Sequence, residues 1–215
     1  MLEKIYTGIQ KHGCGFDEEF RLPDELKDTE SYSEPNQELI DKYGCSNWYE
    51  WNVSTLGTKW DMLEPLEDGS IDEENVGPFE LVGNQINIGF DSPWNGPFIW
   101  FHRVCKKYNL SGVMIDAESG CDFFSKTVFK DGTIIEVCDA RYFSKPAIEH
   151  FGIEEFAYEI KSELIDYRSL EDLKSEDLEL YEFLKSYLSD DALSEIIEDI
   201  NSELNEDSIT HSSVA

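Results

Sequence analysis

Phe79-Glu80-Leu81-Val82-Gly83-Asn84-Gln85-Ile86-Asn87-Ile88-Gly89-Phe90 alternates apolar and polar residues on either side of Gly83-Asn84. A period of two marks strands with one buried face, and the glycine between the halves marks a tight hairpin or a bulge. Downstream, Asp91-Ser92-Pro93-Trp94-Asn95-Gly96-Pro97 reads as a rigid connection, and Pro97 suits the first position of a helix. Phe98, Phe101, Cys105 and Tyr108 then recur at helical spacing. Val113, Ile115 and Ala117 return to alternation. Residues 123–129 and 133–137 read as two further strands, joined by Asp131-Gly132, a strong hairpin signal. Helices and strands mixed in this order indicate a layered α+β domain.

Upstream, residues 2–9 are expected to form a first strand and residues 11–20 a loop. Pro23 opens a short helix, with Asp24 and Glu25 suited to its first turn. Residues 36–43 form another, closed by Gly44. Trp48 and Trp51 share a helical face, and residues 62–78 are acidic and turn-rich. After Phe151 the apolar period becomes about 3.6. Phe156, Ile160 and Leu164 make one stripe, Leu173, Leu180 and Leu184 a second, and Leu193, Ile196, Ile197 and Ile200 a third. Ser169 with Asp172, and Ser189 before Asp190-Asp191, are helix caps by pattern. The expected organisation is an α+β domain over 1–150, an acidic helical extension over 151–204 and a flexible tail over 205–215.

The chain of 215 residues carries 47 Asp+Glu against 17 Lys+Arg, a formal charge of -30. With 40% hydrophobic residues, including 13 Phe, 10 Tyr and 5 Trp, global disorder is excluded. So negative a field repels phosphate backbones and anionic lipid surfaces, which argues against direct nucleic-acid or membrane binding. Residues 1–150 hold 28 acids and 13 bases, and residues 151–215 hold 19 acids and 4 bases. Half of the net charge therefore sits on the last 65 residues. Met1-Leu2-Glu3-Lys4-Ile5-Tyr6 is no basic leader, and no apolar run approaches the roughly 18 residues of a membrane span. Five cysteines without a CxxC spacing fit free thiols, so a cytoplasmic location is expected.

His12 with Cys14, and His102 with Cys105, are the pairs nearest to a metal or nucleophile pattern. Neither has a second half that would complete a ligand set, and a helix-face cysteine among apolar residues is inert. No phosphate loop, dinucleotide fingerprint or calcium loop occurs. The sequence therefore nominates no catalytic residue, no metal ligand and no cofactor.

Three motifs follow one another: Asn47-Trp48-Tyr49-Glu50-Trp51-Asn52, Gly57-Thr58-Lys59-Trp60-Asp61 and Phe90-Asp91-Ser92-Pro93-Trp94. Together they resemble the phage- and plasmid-encoded Api92-like proteins, whose domain is known as the YubB ferredoxin-like domain. In that family Asn-Trp-Tyr-x-Trp precedes Gly-Thr-Lys-Trp, and a Trp-centred turn leads from a strand into a helix opened by proline. The resemblance spans residues 45–137. It departs at Asn95-Gly96-Pro97, where the family more often has a serine-proline run, and it does not include the acidic C-terminal segment. It implies a ferredoxin-like antiparallel sheet with packed helices and a mobile-element origin, and it implies no catalytic residues.

The charge is the sharpest functional feature. Carboxylates on helices with one apolar face must crowd the solvent side, where they can imitate a phosphate array. The expected function is an acidic inhibitor that occupies the basic surface of a host nucleic-acid-binding or defence protein. Glu176, Glu179, Glu195 and Glu198 stand for the contacting carboxylates, and Trp60 and Trp94 are the aromatic alternatives. The alternatives left open are a complex subunit that binds through an aromatic or apolar surface, and an enzyme of unrecognised type.

Overall fold

In the computed structural model, residues 1–32, 34–62, 76–93 and 95–212 are described. They form a mixed α/β fold with packed helices and two small antiparallel sheets. The chain divides into two compact units, Met1–Tyr142 and Phe143–Ala215.

Residues expected as a strand form helix α1, Leu2–His12. Ile5 and Ile9 lie four apart, and both are buried, so one helical face enters the core. Glu3 in the first turn and Lys11 and His12 in the last suit the helix dipole. A tight 3-10 turn, Gly13–Phe16, follows, and then short helices α2, Asp24–Lys27, and α3, Gln37–Tyr43. Asn36 caps α3 by accepting the Glu38 N–H at 3.0 Å, and Gly44 ends it at φ 78°. Helix α4 is Trp48–Thr55.

Strands β1, Val76–Val82, and β2, Gln85–Phe90, form the expected hairpin, with Val82 opposite Gln85. Helix α5, Phe98–Tyr108, leads to β3, Gly112–Glu118, β4, Phe123–Lys130, and β5, Thr133–Ala140. These last three make an antiparallel meander in the order β3-β4-β5. The core of the unit joins Ile5, Ile9, Phe20, Leu56, Trp100 and Val104. Phe79, Ile86, Ile88 and Phe90 of the hairpin pack against it. Phe129 on β4 meets Phe98 and Phe101 of α5 at ring distances of 6.1 and 5.2 Å.

The second unit is helical: α6, Lys145–Phe151, a 3-10 turn Ile153–Phe156, α7, Ala157–Leu164, α8, Leu170–Glu176, α9, Leu178–Lys185, and α10, Asp190–Ser212. Phe156, Ile160, Leu164, Leu173, Leu184, Leu193, Ile197 and Ile200 are its buried core. The stripe Leu173, Leu180, Leu184 is split between α8 and α9, because Asp177 breaks the helix and caps the next one through the Leu180 N–H at 2.9 Å. Ser169 and Ser189 cap α8 and α10, accepting from Asp172 and Ala192 at 3.1 Å each. Phe143 lies against Phe156 and Phe183 at 5.7 and 5.4 Å, which places it with these helices, ahead of the charge boundary near Phe151. Helix α10 continues beyond residue 204 to Ser212.

The two hairpin glycines separate conformational strain from crowding. Gly83 has φ 61° and open space where a Cβ would stand. Gly132 has φ 73°, and a Cβ there would come within 2.7 Å of the Lys106 backbone in α5. Gly83→Ala is expected to cost about 1–2 kcal/mol, the left-handed penalty alone. Gly132→Ala must cost more, since the turn has to leave α5. Equal losses in denaturant unfolding would contradict this packing.

Candidate functional site

The three motifs converge on one hydrogen-bonded junction in the first unit. Asn47 caps α4, its side chain accepting the Glu50 N–H at 2.9 Å. Glu50 returns the contact by accepting the Ser46 N–H at 2.7 Å. The buried Asn52 of the first motif donates its amide to the Lys59 carbonyl of the second at 2.9 Å. Gly57 turns the chain at φ 90°, where a Cβ would come within 3.0 Å of the Ile99 backbone nitrogen. The Leu56 carbonyl accepts the Trp100 N–H at 3.0 Å, which ties the same turn to the start of α5.

The second motif is bound in turn to the third. Asn95 donates to the Gly57 carbonyl at 2.8 Å, and the Thr58 and Ser92 hydroxyls lie 2.7 Å apart. Ser92 gives its proton to the Asn95 carbonyl at 2.8 Å, so Thr58 is the donor to Ser92. Asp61 ends the second motif by accepting the Cys14 N–H at 2.7 Å, which anchors the 3-10 turn. Lys59 places its ammonium 4.7 Å from the centre of the Trp60 ring, a cation–π contact. Trp60 is half-buried, as are Trp48 and Trp51. Trp100 is the tryptophan of the core. Trp94 lies outside the described residues.

One carboxyl at this junction was not singled out from the sequence. Asp116 on β3 accepts the Gly96 N–H at 3.1 Å. Gly96 allows that approach, since a Cβ there would fall 2.2 Å from the Asp116 carboxylate. Burial raises the Asp116 carboxyl above the ordinary range, against the lowering effect of the Gly96 N–H. Ser125 stands opposite Asp116 across the strand pair and donates to Asp139 on β5 at 2.8 Å. Only the fold brings Asp116 to Gly96, 20 residues away.

Cys105 is buried, and its thiol is pushed up to about 11 by that burial. His102 packs its ring on Phe98 and Phe129 at 6.1 and 5.7 Å. Burial and the nearby Asp61 raise the Cys14 thiol as well. Among the described residues, no three His, Cys, Asp or Glu side chains are placed to hold a metal ion. Among them, too, no helix is long and apolar enough to cross a membrane.

The four glutamates lie in the second unit. Glu176 ends α8, Glu179 is in the first turn of α9, and Glu195 and Glu198 share a face of α10 one turn apart; all four are exposed. Trp60 belongs to the first unit and is not part of this set. The lysines of the second unit are spent on a few acids. Lys174 reaches Asp190 at 3.1 Å, Lys185 pairs with the same carboxylate, and Tyr181 donates to it at 3.1 Å. Lys185 first, then Lys174 and Tyr181, hold the Asp190 carboxyl down at about 2. Lys161 meets Glu203 at 2.8 Å and Lys145 meets Glu149 at 3.7 Å. Glu171, Glu176, Glu179, Glu182, Glu195 and Glu198 stand exposed outside these pairs. Compared with family models, curated proteins and solved structures, the chain matches none.

Two carboxyls of the first unit give opposite pH signatures. Burial raises the Asp17 carboxyl, but Lys107 and Tyr108 donating to it prevail and hold it at about 2. Its contribution is present above the ordinary carboxylate range and is lost as pH falls through the folded value. Asp116 has its folded value raised, so its protonation on mild acidification adds stability. Asp116→Asn, which keeps an oxygen for the Gly96 N–H, is expected to raise the melting temperature at pH 7 and to lose that advantage as pH falls below the ordinary carboxylate range. A lower melting temperature at pH 7 would contradict the buried-carboxyl account.

Proposed function

We propose that this protein is a mobile-element-encoded acidic inhibitor. Its helical unit occupies the basic surface of a host nucleic-acid-binding or defence protein by presenting carboxylates in place of phosphates. The observation that carries this reading is the pattern of charge use in the second unit. Four of its five bases are taken up by three acids, two of them by Asp190 alone. The exposed glutamates of α8, α9 and α10 stand outside these pairs on capped helices. Charges held by the fold lose little freedom on binding and steer a basic partner from a distance. The motif resemblance supports the mobile-element origin, and the ferredoxin-like arrangement of the first unit belongs to the same proposal.

The junction of the three motifs favours a second reading. Loops fixed this firmly around Trp60 support an aromatic surface that binds a partner with little dependence on salt. Affinity capture from a bacterial lysate separates the two readings when run at low and high salt, with and without duplex DNA. Mimicry predicts a basic nucleic-acid-binding protein that is lost at high salt and displaced by DNA. A partner retained in high salt and indifferent to DNA would overturn mimicry in favour of the aromatic surface.

A further inference from the structure

Strand β5 is an outer strand of the meander, and its free edge has no hydrogen-bond partner among the described residues. Thr133, Ile135, Glu136, Val137 and Asp139 are exposed, so both faces of the strand meet solvent. Ile135 is 59% and Val137 56% exposed. On β3, the opposite edge, Val113 alone is exposed. Protein edges are normally blunted by proline, lysine or short length, because unpaired N–H and C=O groups recruit other strands. Strand β5 is eight residues long and contains no proline, glycine or lysine. Phe129 pairs with Ile134 and Val128 with Glu136, so Ile135 is the extra residue of a bulge. Bulges re-aim side chains at sheet edges.

The charge decides what can pair there. The acidic residues of β5 are Glu136 and Asp139, both exposed. They repel a second copy of this chain, which carries -30, and attract a cationic strand. We propose that β5 is a docking edge for an extended, lysine- or arginine-rich, β-branched segment of a partner protein, which adds as a fourth strand. The backbone edge supplies the hydrogen bonds, Ile135 and Val137 the apolar contacts, and Glu136 and Asp139 the charge selectivity. This site does not depend on the reading of the C-terminal helices.

The test uses the full chain and a peptide of alternating lysine and valine matched in length to β5. Binding is followed by amide hydrogen exchange. The β5 amides that face outward should slow by about tenfold or more at saturation. A peptide N-methylated at alternate residues keeps its charge but loses donors, and it should bind at least about tenfold more weakly. Ile135→Lys with Val137→Lys should weaken binding to the same degree, whereas Tyr158→Lys with Leu178→Lys, two changes at more exposed apolar positions in the helical unit, should not. Equal binding of the N-methylated peptide would overturn the proposal. So would protection confined to residues 143–212, or a dimer of the chain that pairs through β5.

Discussion

Trp100 is the residue on which the first unit depends. It is 3% exposed, its indole N–H donates to the Cys14 carbonyl at 3.0 Å, and its backbone N–H donates to Leu56. Its ring meets Phe16 and Phe20 edge-on at 6.2 and 6.5 Å. One residue on α5 thus fixes the 3-10 turn after α1, the turn after α4 and the aromatic core between them. A large ring with one polar atom does this well, because burial and a directed hydrogen bond act at the same place. On the surface of the same contact, Lys107 meets Asp17 at 2.6 Å, and Tyr108 donates to Asp17 at 2.6 Å. The three-motif junction is built onto this frame, which explains why its loops need few strands to hold them.

The second unit follows a different logic. Its core is a set of leucines, isoleucines and one central phenylalanine, and its caps are serines and aspartates already present at the helix starts. What distinguishes it is how few acids its cations serve. Asp190 gathers Lys174, Lys185 and Tyr181 and so joins α8, α9 and α10. The same contacts pair off positive charge at the surface. Like charges one turn apart on α10 oppose the helix. A fold that accepts this repulsion while using its lysines elsewhere displays a concentrated negative surface.

Legibility tracked the range of the interactions. The meander and both hairpins were readable because Asp131-Gly132 and Gly83-Asn84 are local turn chemistry beside a period of two. The helices after residue 151 were readable from their stripes and serine caps. Helix α1 was misread because Ile5 and Ile9 suit a strand end as well as a helical face, and only burial against Phe20 and Trp100 decides between them. The break at Asp177 was hidden by a stripe that drifts across it. Asp116 left no local signal, since Gly96 lies 20 residues away, and Asp190 was legible only in a cap pattern, since its partners Lys174, Tyr181 and Lys185 lie on two other helices. The tryptophan motifs were visible as motifs, but only the fold shows that Asn52, Gly57, Thr58, Ser92 and Asn95 join their segments in one junction.

In the proposed mimicry, exposed carboxylates of the helical unit make the contact with a basic partner. Its most direct measurement is the affinity of the captured partner across a salt series, for the natural chain and for one with Glu176→Gln, Glu179→Gln, Glu195→Gln and Glu198→Gln. The account predicts a steep loss of affinity with salt for the natural chain, and weaker binding with a shallower salt slope for the variant. The same affinity and the same slope for both chains would contradict it.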